Sequence, residues 1–133
     1  MNTQSKRVRL EDFRGHWVLL NFWGVWCGSC HFELPFLEAW SKRYTGKLVI
    51  LGLDVNDKPD SLGSYLARHP LAYEVLLAGQ LGDATAKSYA VRGVPLNVLV
   101  DPNGVARYVE VGFEPSSPSE PPPLESYLQS IQR

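Results

Sequence analysis

The sequence predicts an α/β fold: a central mixed sheet with a parallel βαβ half and a C-terminal antiparallel hairpin, with helices on both faces. Three observations lead there. Two almost continuous apolar runs of strand length, Trp17-Val-Leu-Leu-Asn-Phe-Trp23 and Lys47-Leu-Val-Ile-Leu-Gly-Leu-Asp54, are separated by a segment of helix length. That is the pattern of parallel strands buried on both faces and joined by a crossover helix. An Asp101-Pro-Asn-Gly104 turn joins two further apolar stretches, which signals a hairpin. Finally, 133 residues with 44% hydrophobic side chains suit one domain with a sizeable core, so residues 1–133 are read as a single unit.

The elements follow in order. Gly15 opens the first strand. After it come Gly24-Val-Trp-Cys-Gly-Ser-Cys30 and a segment to Tyr44 in which Phe32, Phe36, Trp40 and Tyr44 recur every four positions, predicting a helix with one apolar stripe. Glu33 near its start, Lys42 and Arg43 near its end and a Glu38/Lys42 pair suit the helix dipole. Gly46 supplies a C-terminal stop, and Pro35 should kink the helix about one turn beyond Cys30. Past the second strand, Asp60 is a candidate cap for a short helix that Pro70 ends, and residues 73–77 form a short extended segment. Asp83 is a candidate cap for a helix over 84–90, before the strands 96–100 and 105–111. Residues 114–123 hold five prolines in ten positions, which rules out helix or interior strand. They connect to a terminal helix with Leu124, Tyr127, Leu128 and Ile131 on one face. A rigid connector is preferred to a PxxP ligand at Pro118 and Pro121.

Charge is nearly balanced, with 13 Lys+Arg against 14 Asp+Glu, which excludes a basic nucleic-acid binder. No apolar run approaches the roughly 20 residues of a spanning helix, and residues 1–9 do not read as a signal peptide. The chain is expected to be soluble.

Its two cysteines, Cys27 and Cys30, are too few for a disulfide framework. Zinc needs four ligands, and His16, His31 and His69 lack the paired spacing, so no metal is expected and no cofactor is called for. A redox dithiol remains. At the start of a helix, unpaired N–H groups and the dipole stabilise a thiolate at Cys27, the exposed nucleophile, while Cys30 one turn in resolves mixed disulfides.

Asn21-Phe-Trp-Gly-Val-Trp-Cys-Gly-Ser-Cys30, Glu33-Leu-Pro35, Tyr89-Ala-Val-Arg-Gly-Val-Pro95 and Val98-Leu-Val-Asp-Pro-Asn-Gly104 together resemble the thioredoxin superfamily over most of the chain. Within it the sequence is similar to the TlpA/ResA/CcmG-like branch, extracytoplasmic thiol-disulfide oxidoreductases tied to cytochrome c maturation and related thiol reduction. Asn21 stands where thioredoxin carries a buried aspartate, and Glu33 and Pro35 match the branch. Ser29 and Leu96 depart from the common proline and threonine. The resemblance implies a thioredoxin-like fold and a protein disulfide reductase that acts on proteins with cysteine pairs. It also implies a membrane electron donor and an extracytoplasmic site of action. The branch's N-terminal segment and anchor are absent here, so two expectations stand: a soluble fragment whose natural N-terminus was removed, or a short native protein. Pro95 is implied to be a cis-proline, with Val94 facing the dithiol and offering its backbone to an extended substrate segment.

Glu33 is read as a partly buried acid-base partner of Cys30. Trp26 is read as an exposed apolar surface for substrate and Trp23 as core. His31 is read as a surface histidine without a catalytic part. Two other functions stand beside the leading one: a general cytosolic thioredoxin, and a thioredoxin-fold module that holds copper or another soft metal through its cysteines.

Overall fold

The structure, a computed structural model, describes residues 10–77, 93–112 and 123–131. Within them a 3₁₀ turn at Leu10–Phe13 precedes β1 (Trp17–Trp23), α1 (Gly28–Arg43), β2 (Leu48–Asp54), α2 (Pro59–Arg68), β3 (Glu74–Leu77), β4 (Leu96–Val100), β5 (Ala106–Val111) and α3 (Pro123–Ser130). The strands form one sheet in the order β3-β2-β1-β4-β5. β1, β2 and β3 run parallel, and β4 is antiparallel to both β1 and β5. This is the mixed sheet the sequence predicts. Among the described residues no helix is long and apolar enough to cross a membrane.

β1 lies in the middle of the sheet and is buried on both faces, which explains its lack of alternation. Its odd-numbered residues Leu19 and Trp23 face a cluster with Leu37 and Trp40 of α1, Leu62 of α2, and Leu124 and Leu128 of α3. Val18, Leu20 and Phe22 face the other way, against Leu51, Leu53, Leu76, Leu96 and Val98. Leu37 and Trp40 are 0% and 1% exposed, and each such side chain stabilises the fold by roughly 2–3 kcal/mol relative to exposure. Tyr127 and Ile131 pack against the first cluster, so the terminal helix docks as its pattern predicts.

The buried face of α1 differs from the predicted stripe. It is formed by Cys30, Glu33, Leu34, Leu37 and Trp40, while Phe32 is 69% exposed. At 3.6 residues per turn, a series spaced by four drifts about 40° per step, so Phe32 and Tyr44 cannot share one face. The helix continues through Pro35 as a single element, and its C-cap Tyr44 N–H donates to Trp40 O before Gly46 at φ +88° turns the chain. Glu38 is engaged by the Ala72 N–H at 2.6 Å. In α2 the start is set by Pro59 at the first helical position after Lys58, and Asp60 lies in the first turn instead of capping. The Asp83 cap, the helix over 84–90 and most of the proline-rich 114–123 segment lie outside the described residues. Pro123, its last residue, begins α3.

Candidate active site

β1 and β2 end side by side, with Trp23 opposite Asp54. β4 begins beside them, with Leu96 opposite Phe22. The loops at this rim therefore converge, and α1 starts among them. Cys27 is the N-cap of α1 in extended conformation, and its sulfur accepts the N–H of Cys30 at 3.2 Å. The two cysteines are joined as a disulfide with Cα atoms 5.3 Å apart. Cys27 is 6% exposed and Cys30 2%. The order matches the expectation, but Cys27 is not an open surface thiol. The carbonyl oxygen of Val94 lies 3.8 Å from its sulfur and the Ser29 hydroxyl 3.6 Å away. The Val94–Pro95 peptide bond is cis, and the Val94 carbonyl places this turn beside the cysteine pair.

The loop before Cys27 is held from three sides. The Val25 N–H donates to Asp57 Oδ2 at 2.8 Å. Its carbonyl accepts from His31 Nε2 at 2.7 Å, and Tyr65 O–H lies 3.3 Å from His31 Nδ1. The carbonyl partner requires that Nε2 carry the hydrogen it donates. Trp26 donates its indole N–H to Val55 O at 2.9 Å and remains 52% exposed. His31 is therefore not the free surface residue the sequence reading expects. Its ring is half-buried and fastens the loop, because residue 31 lies one turn from Cys27 on the side facing Val25 and α2.

Beneath the disulfide lies a buried polar network. Glu33 is 2% exposed. Its carboxylate accepts from Asn21 Nδ2 at 2.6 Å and from Asn97 Nδ2 at 3.0 and 2.9 Å, and the two asparagines are joined at 2.9 Å. Burial pushes the Glu33 carboxyl up to about 7, with the Glu110 charge adding to the rise while the two amides oppose it. Asn97 is absent from the sequence-based site. The available signal was a polar residue within the otherwise apolar Leu96-Asn-Val-Leu-Val strand.

Asp54, 1% exposed at the end of β2, was also missed. Burial, with Asp57 close by, raises its carboxyl to about 9. It therefore stays protonated at neutral pH beside the loop that Asp57 holds. Among the described residues no three His, Cys, Asp or Glu side chains gather to hold a metal.

A five-stranded mixed sheet with a two-residue-spaced cysteine pair at the N-terminus of its central helix defines a thiol-disulfide oxidoreductase of thioredoxin-like fold. The AhpC/TSA family model matches residues 1–109, and the chain belongs to that family. The thiol-disulfide oxidoreductase ResA of Bacillus thuringiensis subsp. konkukian is 30% identical over 129 residues, covering 96% of this chain and 70% of its own. Among solved structures, a Chlorobium tepidum protein described as the thiol:disulfide interchange protein DsbE superposes with a TM-score of 0.82 at 27% identity, covering 95% of this chain and 86% of that one. A thiol-disulfide oxidoreductase from Bacteroides fragilis shares the fold, with a TM-score of 0.81 at 22% identity over 98% of this chain and 93% of its own.

Proposed function

We propose that the chain is a reductase of protein disulfides acting outside the cytoplasm, in cytochrome c maturation or related thiol reduction, and re-reduced by a membrane donor. Cys27 is the nucleophile, Cys30 the resolving thiol and Glu33 the acid-base group. Trp26, Val94 and Pro95 form the substrate-binding surface. The observation that carries this reading is the placement of Glu33: a buried carboxyl poised near neutrality, one helical turn beyond Cys30 and held by two amides.

The reduced Cys27 thiolate, stabilised by the Cys30 N–H and the helix N-terminus, attacks a substrate disulfide and expels one substrate thiolate. Cys30 then gives its proton to the Glu33 carboxylate, and its sulfur attacks Cys27. The mixed disulfide breaks, the second substrate thiolate leaves, and two electrons have passed to the substrate as the Cys27–Cys30 bond forms.

The test compares two disulfide substrates under equal reducing supply: a synthetic Cys-x-x-Cys-His peptide of the haem-attachment type, and insulin. Reduction of the peptide at least about tenfold faster in kcat/KM is expected, which corresponds to roughly 1.4 kcal/mol of transition-state preference. Equal rates would favour a general thioredoxin. Cys30→Ser should also accumulate the mixed disulfide with the peptide, and undiminished turnover by that variant would overturn the two-cysteine mechanism.

A further inference from the structure

We infer that Glu110 is a positioning residue of the dithiol site: its carboxylate ends a polar row that crosses the sheet beneath Glu33 and governs how readily Glu33 takes the proton of Cys30. The inference rests on the acid-base reading of Glu33 and adds a residue that reading does not contain.

The row is fixed by strand register. Asn21 on β1 is directly opposite Asn97 on β4, and Asn97 is directly opposite Glu110 on β5. Neighbouring strands are about 4.8 Å apart and directly paired residues project to the same face. All three residues therefore face the layer that holds α1 and α3, as do Leu19, Leu99 and Tyr108. Glu33 reaches down from α1 and is bound by the first two members of the row. Glu110 is the third. Its Oε2 is buried without a hydrogen-bond partner among the described residues, which is costly for an ionised carboxylate. The Leu124 N–H at the start of α3 supports the charge, while burial raises the Glu110 carboxyl above its ordinary range.

Tyr108 is the neighbour of Glu110 on β5, and its hydroxyl is raised by burial and by Glu110. Tyr73, before β3, feels Glu33 in the same sense. Arg43 of α1 is engaged by Glu125 of α3, and Arg107 of β5 by Asp101. An ionised Glu110 therefore raises the proton affinity of Glu33. In the resolving step the Cys30 S–H bond breaks, its proton goes to Glu33, and the freed sulfur forms the Cys27–Cys30 bond as the substrate sulfur leaves with the electron pair. Proton capture by Glu33 also relieves its repulsion with Glu110, which favours this step over its reverse.

The experiment is a carbon-13 titration of the Glu33 and Glu110 carboxyls in the full reduced chain, combined with the pH profile of the resolving step. In the parent chain the Glu33 curve should carry two inflections, the second at the midpoint of Glu110. Independent single titrations would overturn the inference without any variant. Glu110→Gln should lower the Glu33 midpoint by about half to one pH unit and move the ascending limb of the profile equally. Glu110→Asp, which keeps the charge, should leave the limb in place, and a shift as large as that of Glu110→Gln would mark a packing effect and refute the assignment. In a Glu33→Gln background, Glu110→Gln should change neither rate nor profile. If Glu33→Gln alone leaves the resolving rate unchanged, the acid-base reading of Glu33 fails and takes this inference with it. If Glu33→Gln slows the step while Glu110→Gln leaves the Glu33 midpoint unmoved, only the Glu110 assignment falls.

Discussion

Asn97 donates its side-chain amide to both carboxylate oxygens of Glu33, at 3.0 and 2.9 Å, from the strand directly beneath the helix that carries the cysteines. Bonds of this kind stabilise the ionised form and restrain a rise that burial alone would make larger. Asn97→Val should therefore raise the Glu33 midpoint beyond about 7, by roughly one to two pH units if a charge-assisted bond contributes about 1.5–3 kcal/mol. A carboxyl titration followed by NMR checks this. An unmoved midpoint would mean that Asn97 does not support the charge.

Stability should fall as pH rises through neutrality. Glu33 is raised from 4.5 to about 7 in the folded chain, so between those values the folded state binds more protons than the unfolded state, and stability drops with increasing pH. The loss is complete above about pH 7 and amounts to about 3 kcal/mol. Asp54, raised to about 9, acts in the same direction up to more alkaline pH. Denaturant unfolding of the oxidised chain at pH 5 and pH 8 should show this loss, and Glu33→Gln should remove a large part of it.

Thiol reactivity should separate the two cysteines. Cys27 caps α1 and receives the Cys30 N–H, so mildly acidic alkylation of the reduced chain should label Cys27 first, and peptide mapping identifies the product. Glu33→Gln removes a like charge from the site and should lower the apparent Cys27 midpoint, read by thiolate absorbance, while slowing the resolving step. Preferential labelling of Cys30 would reverse the assignment of roles.

Val25 is tied at its N–H by Asp57 and at its carbonyl by His31. His31→Ala and Asp57→Ala each remove one tie, at a cost of about 1 kcal/mol for an ordinary bond and up to about 3 for the charged one. Hydrogen exchange at Val25 should accelerate in both variants, with Trp26 emission changing as the neighbouring indole loses its fixed setting. His31→Gln, which retains a side-chain donor, should restore part of the protection. Exchange unchanged from the parent would show that the loop is held by other contacts.

The strands and the dithiol are readable in the sequence because their signals are local. An apolar run such as β1 has one good solution, a buried strand, and the cysteines carry their spacing with them. Glu33 was accessible by its position one turn from Cys30. Asn97 and Glu110 were not, because their meaning depends on register between strands far apart in sequence. Nothing within Leu96-Asn-Val-Leu-Val says that its asparagine lies opposite Asn21. His31 was misjudged for a similar reason: its partner Tyr65 comes from α2, on a separate element. The buried face of α1 went astray because a four-residue repeat was taken as a straight stripe.

The convergence of Trp23, Asp54 and Leu96 at one rim of the sheet puts the loops of the site at one end of the strands and the structural turns at the other. The opposite rim is closed by compact turns, where the Gly15 N–H meets Pro102 O and the Gly104 N–H meets Asp101 O. Segments 24–26, 55–57 and 93–95 therefore reach the dithiol from outside the strand ladder. Substitutions in these segments should alter partner choice at the dithiol while leaving strand pairing intact, which makes this rim the place to redirect the enzyme to new disulfides.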